Sequence, residues 1–118
     1  MDLKMAGKVA MVTGGASDLC SKICLQLAEE GVNVAVADIP PAKEKGEALV
    51  ESLKKKNVKA MFVPIDVTKA DVVQNCVEQI EKELGPVEIL INGAAYVIPE
   101  RFNVSTYEEW EKIINVCL

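Results

Sequence analysis

The sequence predicts an α/β fold, a doubly wound parallel sheet with helices on both faces. Strand and helix patterns alternate along the whole length, the strand runs are continuously apolar, and the connections between them are short. Strands buried on both faces read as continuous apolar runs, and repeated βα units build parallel sheets. Right-handed crossovers leave few topologies. The order expected for the four strands is 3-2-1-4, with a ligand crevice outside the carboxyl ends of strands 1 and 4.

Val9–Thr13 is the first strand. Leu19, Ile23 and Leu27 recur every four residues and predict an amphipathic helix that ends near Gly31, a natural C′ glycine. Val32–Ala37 is the second strand, closed by Asp38 and stopped by Pro40-Pro41. Ala42–Lys56 reads as a helix with Leu49, Val50 and Leu53 facing inward. Ala60–Ile65 is the third strand, and Pro64 near its end suits a sheet edge. After the Asp66-Val67-Thr68 turn, Val73, Cys76, Val77, Ile80 and Leu84 mark a third helix, terminated by Gly85-Pro86. Val87–Asn92 is the fourth strand, followed by a loop through Pro99. Ser105-Thr106-Tyr107-Glu108 has the form of a capping box, and Trp110, Ile113, Ile114 and Cys117 give the next helix one apolar stripe.

At 118 residues the chain has room for one domain, spanning 1–118. Its net charge of −5, with no basic cluster beyond Lys54-Lys55-Lys56, argues against nucleic acid and membrane surfaces as partners. No apolar run is long enough to cross a bilayer, and the N-terminus does not read as a signal peptide. The four cysteines, Cys20, Cys24, Cys76 and Cys117, form no Cys-x-x-Cys pair, and there is no histidine. Zinc is therefore not expected, and the thiols read as reduced and cytoplasmic. Cys20 and Cys24 read as small buried packing residues on one helix face.

The stretch from Val9 to Cys20 is a buried strand, a glycine turn and a helix start, the context in which backbone N–H groups cradle a pyrophosphate. It resembles the Thr-Gly-x-x-x-Gly-x-Gly loop of the short-chain dehydrogenase/reductase family. Thr13 and Gly14 fit; Asp18 and Cys20 stand where the family has its second and third glycines. The resemblance covers essentially the whole chain and implies the first half of a Rossmann-like domain that binds NAD(P). On that reading Thr13, Gly14 and Ser17 belong to the cofactor loop. Asp38 receives the adenosine ribose hydroxyls and repels a 2′-phosphate. With no arginine in the loop or just after Asp38, the implied cofactor is NAD. Asp66-Val67 matches the family's Asp-Val beside the adenine, although the same aspartate is a good turn former. Asn92 and Ala94 fit the family's Asn-Asn-Ala-Gly segment near the nicotinamide ribose, while Gly93 replaces its second Asn and Ala95 its glycine.

The catalytic residues of the family are not matched. Cys117 stands where the family has the Asn of its tetrad, Asn115 is expected to point elsewhere, and Cys117 is expected to fill the core stripe. Tyr96 and Tyr107 have Glu100 and Glu111, not lysine, four residues on. The family's serine and Tyr-x-x-x-Lys pair belong after Leu118. Asp18 is expected to cap the first helix while placing a negative charge in the phosphate site, and Cys20 to push that helix outward or force a repack.

The resulting expectation is a truncated relative, catalytically silent alone, with NAD binding weak or lost. Two alternatives stand beside it. One is the N-terminal part of an NAD-dependent oxidoreductase acting on a secondary alcohol or ketone. The other is a non-enzymatic partner that self-associates or pairs with a full-length relative through the exposed fourth strand. Substrate and subfamily stay open.

Overall fold

The computed structural model describes residues 2–96 and 104–117; part of the loop expected through Pro99 lies outside them. Four parallel strands, β1 (Val9–Thr13), β2 (Asn33–Asp38), β3 (Ala60–Pro64) and β4 (Val87–Asn92), stand in the order β3-β2-β1-β4. The helices are α1 (Asp18–Glu29), α2 (Lys43–Lys54, after a 3-10 turn at Pro40–Ala42), α3 (Ala70–Glu83) and α4 (Tyr107–Cys117).

The two sheet faces carry separate cores. Ala10, Val12, Val34 and Val36 pack against α1 and α2 through Cys24, Ala28, Val50 and Leu53. Val9, Met11, Ala35 and Ala37 point the other way, onto Cys76 and Ile80 of α3. The alternation of side chains along each strand produces this division. Every residue of β1 is buried, as a strand with neighbours on both edges and helices on both faces requires.

α1 buries its cysteine face, as expected, and not the Leu19-Ile23-Leu27 stripe. Cys20, Cys24 and Ala28 face the sheet, while Leu19 is 71% exposed and Ile23 and Leu27 are half-buried. Small side chains let the helix backbone lie close to the strands, so the buried stripe is offset by one residue from the Leu-Ile-Leu stripe. The helix ends as expected: Gly31 takes φ +81°, its N–H donates to Ala28 O at 3.0 Å, and Val32 N–H donates to Leu27 O at 3.1 Å. This is a Schellman closure.

Its start differs too. The N-cap is Ser17, whose Oγ accepts from Cys20 N–H at 3.3 Å, and Asp18 is the first helical residue. An extended residue must precede the helix for its side chain to reach back to the third N–H, and Ser17, at φ −67° and ψ 162°, is that residue. Asp18 instead favours the helix through the dipole.

α4 shows the same displacement by one residue. Thr106 Oγ1 accepts from Glu109 N–H at 3.2 Å and Thr106 N–H donates to Glu109 Oε2 at 2.9 Å, so the capping box is Thr106–Glu109 and not Ser105–Glu108. No residue of α4 is buried: Trp110 is 39% and Ile114 51% exposed, and Cys117 is exposed rather than in the core. The β4 edge is equally open, with Leu90 55% exposed. Glu88 has no counterpart on β1, because the register moves from Val9–Val87 to Ala10–Ile89.

Thiol chemistry tests this burial pattern. Cys20, Cys24 and Cys76 are buried and Cys117 is exposed. Burial pushes the Cys24 thiol up to about 12, with Cys20 adding to the shift and a backbone hydrogen bond opposing it. Burial raises Cys76 as well. Because the thiolate is the reactive form, a disulfide-exchange reagent at pH 8 should titrate one thiol of the native chain quickly and all four after denaturation. Rapid reaction of two or more native thiols would contradict the packing of α1 and α3.

Candidate functional site

The candidate site gathers at the carboxyl ends of the strands, where the chain leaves the sheet four times. The β1 exit is fixed first. Gly14 takes φ +62°, a conformation L side chains rarely adopt, and a Cβ there would stand 2.5 Å from Gly93 O. Two backbones therefore meet where β1 and β4 leave the sheet. Thr13, the one buried polar side chain among the described residues, ties them together. Its Oγ1 accepts from Gly93 N–H at 3.1 Å and from Ala94 N–H at 3.4 Å, and its hydroxyl lies 3.4 Å from Ile91 O. Ser17 N–H donates to Gly14 O at 3.1 Å, closing the turn just before α1.

Asp38 closes the β2 exit. Its Oδ2 accepts from Ala16 N–H at 3.0 Å and its Oδ1 from Ile39 N–H at 2.8 Å, so the carboxylate is anchored to the glycine turn as well as to its own loop. Each oxygen keeps acceptor capacity beyond the one bond it receives.

At the β3 exit Asp66 Oδ1 accepts from Thr68 N–H at 3.0 Å and Thr68 Oγ1 at 2.6 Å. These bonds to Thr68 hold the Asp66 carboxyl below its ordinary value, helped by the positive charges of Lys69 and Lys112. Asp66 is thus a turn former here, with Val67 beside it lining the same cleft. Asn92 ends β4 opposite Thr13.

Six of the eight sequence-derived site residues line one cleft of about 340 Å³: Gly14, Ser17, Asp38, Asp66, Val67 and Ala94. Thr13 and Asn92 line a neighbouring cleft of about 420 Å³, which shares Ile65, Val67, Ala94 and Val116 with the first. Asp18 lines neither and is exposed on the first turn of α1. Its effect on an anion at that helix end is therefore one of charge and not of occupied volume. Cys20 is buried, with its Sγ in the space that a side chain at position 93 would fill.

Three features of the site were missed by sequence reasoning. Asn115 lines the larger cleft together with Cys117, rather than pointing elsewhere. Cys117 interacts with the backbone of Tyr96: its Sγ lies 3.5 Å from Tyr96 N and 3.6 Å from Tyr96 O. Lys112 stands over the Tyr96 ring, its Nζ 4.2 Å from the centroid. A cation does reach Tyr96, therefore, but from α4 rather than from the residue four positions on, and against the ring face. These partners lie on separate segments and left no local pattern to read.

Among the described residues no group of three or more His, Cys, Asp or Glu side chains is placed to hold a metal, and no helix is long and apolar enough to cross a membrane.

Comparison with known proteins agrees with this geometry. The chain is 35% identical over 111 residues to the 3-oxoacyl-[acyl-carrier-protein] reductase of Staphylococcus epidermidis, covering 94% of this chain and 45% of that protein. It is 34% identical over 110 residues to the 2,3-dihydro-2,3-dihydroxybenzoate dehydrogenase of Bacillus subtilis, covering 93% of this chain and 41% of that one. Among solved structures, NAD+-bound xylitol dehydrogenase superposes with a TM-score of 0.88 at 27% identity, over 96% of this chain and 43% of that one. The L-sorbose reductase of Gluconobacter frateurii, complexed with NADPH and L-sorbose, gives a TM-score of 0.88 at 27% identity over 98% and 44%. The chain thus spans less than half the length of the relatives it matches. The family model described as short chain dehydrogenase matches residues 8–118, and the chain belongs to that family.

Proposed function

We propose that residues 1–118 are a partial dinucleotide-binding domain that receives the adenosine half of NAD in the cleft at the strand ends. The observation that carries this reading is the Asp38 carboxylate, fastened by Ala16 N–H at 3.0 Å and Ile39 N–H at 2.8 Å at the rim of the cleft lined by Gly14 and Ser17. A carboxylate so held accepts the vicinal hydroxyls of a ribose and repels a 2′-phosphate. The residues fit the cofactor in a second respect: Gly14 and Ser17 line the cleft beside the start of α1, where the N–H groups of a helix's first turn have no carbonyl four residues before them, although that of Cys20 is taken by Ser17 Oγ. Asp66 and Val67 border the adenine end, and Asn92 and Ala94 the nicotinamide ribose. NAD, when bound, supplies a hydride acceptor. This chain's own residues bind and orient; none of them is assigned a proton-transfer role, and the 118-residue chain is inactive by itself.

Affinity is weak on this reading because Asp18 sets a negative charge in the first turn of α1. A charge at an exposed helix end changes binding of an anion there by about 0.3–1 kcal/mol. Asp18→Asn should tighten NAD binding by about two- to fivefold, less so at high salt. Asp38→Ala should weaken it by at least about tenfold, the value of a lost hydrogen bond to a charged group. Calorimetry on both variants and the parent measures this. Equal affinity in all three would remove Asp38 and Asp18 from the site. Turnover of secondary alcohols should stay at background throughout, and an NAD-dependent rate abolished by a single substitution in this chain would contradict inactivity.

A second reading has its own observation. β4 is a sheet edge, and Leu90 on it is 55% exposed. Such an edge recruits another strand, and self-association through β4 follows. Leu90→Lys should shift the chain toward monomer in size-exclusion chromatography at fixed concentration. An unchanged elution profile, from a parent that is not already monomeric, would exclude β4 as the contact.

A further inference from the structure

We propose that Cys20 is a positioning residue for the β4 exit: its Sγ fills the volume a side chain at position 93 would need, and this exchange of sizes brings the backbone of Gly93 onto Gly14. The geometry is direct. A Cβ built on Gly93 would lie 2.3 Å from Cys20 Sγ and 2.6 Å from Thr13 O. A Cβ on Gly14 would lie 2.5 Å from Gly93 O. Cys20 is 4% exposed and fixed by its N–H bond to the N-cap Ser17.

Three contacts therefore locate residue 93. Thr13 Oγ1 receives its N–H, Gly14 meets its carbonyl, and Cys20 occupies the place of its side chain. The chain then continues to Ala94, which lines both clefts and donates its N–H to Thr13. The thiol on α1 and the glycine after β4 are complementary in size. Cys20 acts on the cleft through Gly93 and touches no ligand.

The consequence for NAD rests on the reading given under Proposed function, but the coupling itself does not. The test is a double-mutant cycle on the 118-residue chain with Gly93→Ala, Cys20→Gly and both together. Gly93→Ala alone should lower the melting midpoint by about 10 °C. Adding Cys20→Gly should recover part of that loss, because the Sγ contact is relieved while the Thr13 O contact remains. Additive effects, within the usual tolerance for independent sites, would overturn the proposal. A second pair covers the case in which Gly93→Ala does not fold: Cys20→Ala should be tolerated, and Cys20→Val, which enlarges the group facing Gly93, should not. Equal stability of those two would overturn it as well.

Amide exchange at Ala94 is the readout that general destabilisation does not reproduce. In Cys20→Val it should quicken selectively against the β1 and β2 amides; uniform acceleration across the sheet would overturn the positioning role. In the same folded variants, NAD affinity should fall with Cys20→Val, which crowds Gly93, and to a smaller degree with Cys20→Ala, which removes the Sγ that locates it. Absence of NAD binding in the parent would defeat the nucleotide reading while leaving the cycle and the exchange result to decide this one.

Discussion

One buried hydroxyl holds the site end of this molecule together. Thr13 is the last residue of a strand that is buried along its full length, and its Oγ1 collects two backbone N–H groups from the segment leaving β4. Gly93 and Ala94 are partly buried, and a fully buried N–H without an acceptor costs about 1–3 kcal/mol, so the hydroxyl offsets part of that cost where the β4 chain turns away from the ladder. The contact also lets Gly93 O approach the place where Gly14 has no Cβ. Asp38 repeats the device on the other side of β1, taking Ala16 N–H and so linking β2 to the same turn. The turn between β1 and α1 is thereby fixed from both neighbouring strands.

This arrangement explains which parts of the molecule the sequence disclosed. β1 and the centre of β2 were legible because a doubly covered parallel strand must be apolar, and all four strands begin and end within a residue of where their runs do. The location of the candidate residues was legible because they fall at or just after the strand ends, a place set by topology once the strand order is known. The inward face of α1 was legible in part. Cys20 and Cys24 are the small buried packing residues they were expected to be, with Ala28 beside them, while the Leu19, Ile23 and Leu27 stripe that hydrophobic periodicity picks out is exposed or half-buried. The two caps fell one residue from their expected places because Ser17 and Thr106 hold the position just before the first helical residue, which spacing alone does not locate.

The β4 edge was expected to be open and is, with Leu90 55% exposed; the expectation that Cys117 fills a core stripe on α4 failed for a different reason. The stripe of Trp110, Ile113, Ile114 and Cys117 has the period of a buried helix, yet Trp110, Ile114 and Cys117 are exposed and the last turn borders a cleft instead of filling a core. Periodicity reports the capacity of a face to be buried, and burial also needs something opposite. Two of the contacts that tie α4 to the rest are long-range: Cys117 against the Tyr96 backbone and Lys112 over the Tyr96 ring. Such pairs join residues far apart in sequence and leave no local signature.

The central claim is that the Thr13 hydroxyl organises the junction of β1 and β4. Thr13→Val keeps the shape of the side chain and removes the acceptor, and Thr13→Ser keeps the acceptor. Site-resolved amide hydrogen exchange of the two folded variants compares them directly. The account predicts that Gly93 and Ala94 lose about tenfold protection in Thr13→Val and keep it in Thr13→Ser, with the β1 and β2 amides little changed in either. Equal protection of Gly93 and Ala94 in both variants would contradict it.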